Sequence, residues 1–137
     1  MAANAENRTS PKVLAMVICD MVIRDELTRN VSLVGLFNAV TGKQLPLQHD
    51  RMHVFISLTD GHGEKPFLLQ CKSPDDSEVF RVEGKVRFEN PLAVADLNIA
   101  LRSLVFQQRG DHLLDFFCGG ELLITRRFSV IVEDEVS

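Results

Sequence analysis

The chain has 137 residues, of which 45% are hydrophobic and 25% are charged. This length and composition are typical of one globular domain with its own core, and they exclude a disordered chain, a collagen and a coiled coil. The formal net charge is −4, and the basic residues are scattered among the acidic ones. We therefore expect no nucleic-acid partner and no membrane partner, since both need a basic surface or a long apolar segment of about 20 residues.

Three cysteines, Cys19, Cys71 and Cys118, lie far apart inside apolar runs. An odd number at wide spacing is not a disulfide framework, so we interpret them as small buried hydrophobic side chains. The first ten residues are polar and lack the apolar segment of a signal peptide, which favours a cytoplasmic protein. We expect a flexible tail at 1–11, a single domain at 12–132 and an acidic fray at 133–137.

Within the domain, short runs of alternating polar and apolar residues are separated by turn residues about every 8–12 positions, which predicts β-strands. The first run, residues 12–23, is apolar on both faces except at Asp20. The second run, residues 31–40, is broken by Gly35. Further runs follow at 51–59, 67–71 and 79–88, and the last of these alternates apolar residues with charged ones. That alternation is typical of a sheet with one buried and one solvated face.

The remaining runs complete the predicted sandwich. Residues 97–101 alternate, and the phase then changes before Leu104, which predicts a bulge or a strand end. Residues 90–100 are the best alternative helix, because alanine is common there. The last two runs, 112–118 and 121–132, are joined by Gly119-Gly120, and two glycines in a two-residue loop predict a hairpin. The sequence therefore predicts an all-β protein, an antiparallel Ig-like β-sandwich of about 7–9 strands.

The histidines form the tightest group of metal-ligand residue types in the sequence, at His49, Asp50 and His53. On an extended strand His49 and His53 are about 13 Å apart, too far for one metal unless the chain turns between them. His62 lies in the Gly-containing loop 60–63, which precedes a strand and so lacks the helix of a phosphate-binding loop. We expect no catalytic residue, no metal and no cofactor.

Two polar features call for a structural explanation. Asp20 and Arg126 each interrupt an apolar face, and because an unpaired buried charge is costly we predict that they form a pair. A local bulge that lets both Arg126 and Arg127 reach solvent is the alternative. His112 follows Gly110 by two residues at the start of the penultimate strand, where Ig-like domains place a tyrosine that bonds back to the loop backbone. We predict a structural corner at His112.

The stretch ICDMVIRDELTRNVSLVGLF, residues 18–37, resembles the opening of a bacterial family of small all-β proteins of unknown function. The matching positions are a Cys-Asp pair and a Ser-Leu-x-Gly-x-Phe pattern, here Cys19, Asp20, Ser32, Leu33, Gly35 and Phe37. The end of the chain is similar to that family's closing hairpin, with His112 in place of an aromatic residue. The resemblance implies a cytoplasmic Ig-like fold and assigns no catalytic residue.

The first strand and the last hairpin carry more apolar residues than a two-layer sandwich can bury in one core. The second apolar faces consist of Leu14, Met16, Ile18, Val22, Leu113, Phe117, Leu123 and Ile131. Left exposed, they would form a larger patch than a monomer usually tolerates, so we predict self-association as a homo-oligomer, a two-fold dimer. The alternative is that the first strand is central and covered by segment 41–50.

Three classes of function are compatible with these features. The first is a non-catalytic binding or assembly module that self-associates, with an unidentified protein as a further partner. The second is a small-ligand carrier with a pocket between the sheets or at the loop end, near Gly61, Gly63, Gly84 or Gly110. The third is a metal-assisted enzyme that uses His49, His53 and His62. The first is favoured because function must be argued from a site, and the sequence displays no catalytic one.

Overall fold

A computed structural model describes residues 10–133, which fold into two β-sheets packed face to face. The strands are β1 (Lys12–Arg24), β2 (Val31–Leu36), β3 (Ala39–Gly42), β4 (Leu47–Thr59), β5 (Gly63–Lys72), β6 (Glu78–Phe88), β7 (Ala95–Phe106), β8 (Gly110–Cys118) and β9 (Glu121–Val132). Residues 1–9 of the predicted tail and 134–137 of the predicted fray lie outside the described residues. Over the described range, no helix that could cross a membrane is found.

The order of the strands defines the topology. Sheet A has the order β2-β1-β4-β7 and sheet B the order β3-β9-β8-β5-β6. The ladders are antiparallel except for β3 with β9, which is parallel. The pair β4–β7 facing the group β5–β8–β9 reproduces the B–E and C–F–G strands of immunoglobulin domains. The predicted all-β Ig-like sandwich is therefore confirmed.

Of two local predictions about backbone geometry, the hairpin turn is confirmed and the bulge or strand end before Leu104 is wrong. Gly119 and Gly120 join β8 to β9 with φ of 63° and 84°, as a primed hairpin turn requires. The phase change before Leu104 occurs at Ser103, which has φ 53°. There is neither a bulge nor a strand end at this point, because β7 continues to Phe106. Since β4 changes phase at the same level, its register with β7 stays intact from His49↔Leu104 to Arg51↔Arg102.

The core lies between the sheets and is built from alternate residues of each strand. Sheet A contributes fully buried Ile18, Val54 and Ile56, and sheet B contributes fully buried Leu114 and Phe116. Each large aliphatic or aromatic side chain removed from water contributes about 1.5–3 kcal/mol, so this layer supplies most of the favourable free energy of folding. Arg51 and the charged residues of β6 face away from it.

Strand β1 belongs to two ladders. It pairs with β4 up to Cys19↔His53, and with β2 from Cys19 to Arg24. The guanidinium of Arg24 lies 4.0 Å from the carboxylate of Asp96. Ala15 pairs with Ser57, and Ser57 pairs with Asp96, so these three residues lie side by side in one row across sheet A. If β1 continued straight, Arg24 would lie about 30 Å from that row. The hairpin of β1 and β2 therefore turns back over the outer face of sheet A.

This return explains how β1 can be apolar on both sides. Met16 and Ile18 point into the intersheet core and are buried, so the prediction that they form an outward face is wrong. On the opposite side, Cys19 and Phe55 are buried although neither belongs to the intersheet core. They lie in the rows that the returning hairpin crosses. Residues 20–36 of the chain itself are therefore placed to cover this second apolar face.

Candidate functional site

The histidines considered as metal ligands lie in separate environments. The ring of His49 packs against Phe37 with centroids 5.6 Å apart, and His53 Nδ1 is 2.9 Å from Asn98 Oδ1 on the outer face of sheet A. His62 lies in the exposed loop before β5. Among residues 10–133, no three His, Cys, Asp or Glu side chains are grouped so that they could hold a metal ion.

His112 lies at the start of β8 and is completely buried. Its Nδ1–H donates to the carbonyl oxygen of Gly110 at 3.1 Å, which is the backbone contact that the corner prediction requires. Its ring packs edge-on against Phe106 at 5.3 Å and beside Phe128 at 5.5 Å. Burial lowers the pKa of His112, so the ring is held neutral. Leu114 occupies the place of the second cysteine of an immunoglobulin disulfide.

Asp20 and Arg126 do not form the predicted pair. Arg126 Nη1 donates to the carbonyl oxygen of Met16 at 3.3 Å, and Nη2 donates to Asn38 Oδ1. The carboxylate of Asp20 instead lies against the backbone of Gly35. The prediction is wrong because Met16, and not Asp20, is the β1 residue that reaches the arginine. Asn38 is 88 positions from Arg126 in the sequence, and no residue pattern around it predicts that it accepts a hydrogen bond from this arginine.

The residues predicted for self-association do not form one surface. Two of these side chains lie at β-bulges, which change the face of the sheet to which a side chain points. Leu14 is the extra residue of a bulge in β1, opposite Leu58 and Ser57 of β4. Leu123 is the extra residue of a bulge in β9, opposite Phe116 and Phe117 of β8. As a result Leu14 is 57% exposed, whereas Leu123 packs against the core. The rest are distributed over three places: Met16 and Ile18 in the core, Val22 half-buried in the hairpin, and Leu113, Phe117 and Ile131 on the outer face of sheet B.

The returning hairpin exposes an apolar surface of its own. Met21 pairs with Val34 and Cys19 pairs with Leu36, so one face of the hairpin carries four exposed apolar side chains, Met21, Ile23, Val34 and Leu36. Their exposed fractions range from 37% at Met21 to 61% at Leu36. We call these four residues the hairpin surface. It is the kind of exposed apolar patch that marks an interaction site.

The tip of the hairpin is a structured turn. Asp25 Oδ1 accepts hydrogen bonds from the backbone N–H groups of Leu27 at 2.9 Å and Thr28 at 2.8 Å. These bonds, that of Thr28 first, lower the pKa of Asp25. The turn holds Leu27 with 94% of its surface exposed. The sequence predicts only a polar turn here and gives no sign of the exposure of Leu27.

A cavity of about 600 Å³ opens where β4 and β7 change phase. It is lined by Asp20, Gln48, His49, Asp50, Arg51 and Arg102. Arg51 and Arg102 were not among the predicted site residues, although the sequence carries a signal that places them together. Leu47 and Met52 in β4 lie on opposite parities, as Leu101 and Leu104 do in β7, so both strands change phase at the level of the cavity.

Strand topology and the buried corner at His112 define an immunoglobulin-like β-sandwich whose three cysteines are free. The sequence matches the family of unknown function DUF6941 over residues 14–131, and the chain belongs to that family. Among solved structures, it is similar to an immunoglobulin-like protein from Pseudomonas aeruginosa, with 16% identity and a TM-score of 0.40, over 90% of this chain and 98% of that one. No curated protein matches the chain.

Proposed function

We propose that the protein is a non-catalytic, cytoplasmic binding or assembly module that self-associates through the hairpin surface. The observation that carries the proposal is the exposure of Met21, Ile23, Val34 and Leu36 on one face. The three thiols fit a reducing compartment, because all are free and buried. Burial also raises their pKa values, that of Cys71 to about 12, so none resembles a nucleophile.

A second copy is the partner that best fits this surface. Strand β2 is at the edge of sheet A, and residues 31–36 contain neither a charge nor a proline. Edge strands of monomers are usually protected by such residues. The hairpin tip carries two basic and two acidic residues, Arg24, Arg29, Asp25 and Glu26, so it is complementary in charge to a two-fold copy of itself. A two-fold contact would cover the surface on both copies at once.

The proposal is tested by sedimentation equilibrium at micromolar concentration. The native chain should sediment as a dimer, and the double variant Ile23→Lys and Leu36→Lys as a monomer with an unchanged far-UV circular dichroism spectrum. The matched control, Leu122→Lys with Ile131→Lys, alters equally exposed residues of sheet B and should remain dimeric. A native chain that sediments as a monomer overturns the proposal. A dimer dissociated by the control alone would place the contact on sheet B and overturn the hairpin as well.

The alternative of a small-ligand carrier is supported by one observation, the cavity beside Arg51 and Arg102. Its volume is within the usual 300–1,000 Å³ of ligand pockets, and its charged lining suits a polar ligand.

A further inference from the structure

We propose that the cavity at the phase change of β4 and β7 binds a small zwitterion, of which a free amino acid is the simplest class. Its acid group would lie between Arg51 and Arg102, and its ammonium group beside Asp20 and Asp50. This inference rests on the small-ligand function and is independent of self-association through the hairpin.

The cationic side of the cavity is a pair of like charges. Arg51 and Arg102 are direct register partners across the β4–β7 ladder, and both are exposed. Like charges directly opposite one another destabilise a sheet. Within residues 10–133, neither guanidinium has an acidic partner within 4.0 Å. A carboxylate bound between them would relieve the repulsion, because guanidinium groups bind carboxylates in a planar, bidentate geometry.

The anionic side decides the class of ligand. Asp20 and Asp50 line the same cavity, and over the described residues neither forms an ion pair. Asp20 is held in place by its packing against Gly35. Two arginines and two aspartates give the lining no net charge, so a simple anion gains from one side and is repelled by the other. A ligand with one group of each sign complements both sides.

Two further observations point to a ligand. His49 is one of the lining residues of this cavity, and its Nε2 atom is buried and has no hydrogen-bond partner among the described residues. A buried polar atom without a partner is rare and costly, and a ligand group would satisfy it. Ser103, next to Arg102, has the left-handed φ of 53°, and such strained residues concentrate at functional sites.

The test is an NMR titration of the 15N-labelled full chain with three probes: L-glutamine as the zwitterion, acetate as the anion and ethylamine as the cation. L-glutamine should give saturable shifts of the Nε–H signals of Arg51 and Arg102, with an affinity at least tenfold tighter than either single-charge probe. Arg51→Gln and Arg102→Gln should each abolish the shifts. The matched control Arg109→Gln, an exposed arginine outside the cavity, should leave them unchanged.

The isosteric double variant Asp20→Asn with Asp50→Asn should reverse the preference, so that acetate binds more tightly than L-glutamine. Acetate that binds the native chain as tightly as L-glutamine overturns the zwitterion class while leaving a small-ligand function in place. No saturable shift with any probe overturns both. Saturable shifts of backbone amide signals that persist with L-glutamine when both arginines are replaced show that the site is elsewhere and overturn the assignment.

Discussion

The carboxylate of Asp20 lies so close to the backbone of Gly35 that a side-chain carbon on the glycine would overlap Oδ2. Gly35 also has φ of 71°, a conformation that other residues adopt only with strain. The contact joins the two strands of the hairpin at the level where β1 leaves β4. The aspartate after Cys19 and the glycine in the Ser-Leu-x-Gly-x-Phe pattern therefore form one contact, which joins the two strands of the hairpin.

The first prediction concerns this contact. Gly35→Ala should lower the free energy of unfolding by about 2–4 kcal/mol, because the strain of a left-handed alanine adds to the overlap with Asp20. Chemical denaturation measures the change. Gly120→Ala is the matched control, since its φ is 84° and nothing lies within 4 Å of the added carbon. It should cost about 1–2 kcal/mol. Equal costs at the two sites would show that the overlap is absent.

The second prediction is a pH dependence that comes from His112. Its pKa lies below the ordinary 6.5, mainly because burial disfavours the charged ring. Between the lowered value and 6.5, the unfolded chain binds a proton that the folded chain does not, so stability rises with pH. The contribution of His112 should therefore be complete above about pH 6.5 and should decrease as the pH falls below it.

The comparison variant for this effect is His112→Phe. At pH 7.5 it should be less stable than the native chain by about 1 kcal/mol, because the hydrogen bond to the Gly110 carbonyl is lost. At pH 5 the difference between the two urea denaturation curves should be smaller. A difference that stays constant or grows on acidification would show that the pKa of the buried ring is not lowered.

The third prediction concerns the thiols. At pH 8 the native chain should react very slowly with Ellman's reagent, and all three thiols should react in guanidinium chloride. Cys71 should be the slowest, because it is fully buried and its pKa of about 12 leaves almost no thiolate. Cys71→Ser and Cys118→Ser identify which thiol reacts. One thiol titrating within seconds in native buffer would contradict the burial.

The fourth prediction concerns Arg126. Replacing it with methionine should cost about 1–3 kcal/mol, because hydrogen bonds from a charged donor to Met16 and Asn38 are lost. Combining Arg126→Met with Asp20→Asn tests whether the two residues are independent. The changes in the free energy of unfolding should add within about 0.5 kcal/mol, because the two residues share no contact. A coupling of 1 kcal/mol or more between positions 20 and 126 would mean that the two charges do interact.

The features predicted correctly from the sequence are those with a local cause. The turn at Gly119 and Gly120 follows from a two-residue loop that needs positive φ, and the strands follow from alternation that each run carries by itself. The phase change near Leu104 was equally visible. The corresponding phase change in β4, before Met52, was not used. Only the two phase changes together, on neighbouring strands, indicate the position of the cavity.

The features predicted wrongly depend on contacts between distant parts of the chain. Alternation divides β1 into two faces, but the core side is decided by β4 and sheet B, which bury Met16 and Ile18. The second face seemed to need another molecule because nothing in the pattern of residues 20–36 shows that the hairpin turns back to Asp96. The partner of Arg126 is likewise distant in the sequence, because Asn38 lies in the connection between β2 and β3.

The double membership of β1 has a consequence for local opening. Amides of residues 12–18 are in a ladder with β4, at the centre of sheet A, whereas those of residues 20–24 pair with β2 alone. The outer hairpin can detach without disturbing the intersheet core, so its amides should exchange with solvent deuterium through a local fluctuation. In the first half, the amides that bond to β4 should exchange only on global unfolding. One continuous strand would then show two levels of protection, with the boundary at Cys19 and Asp20.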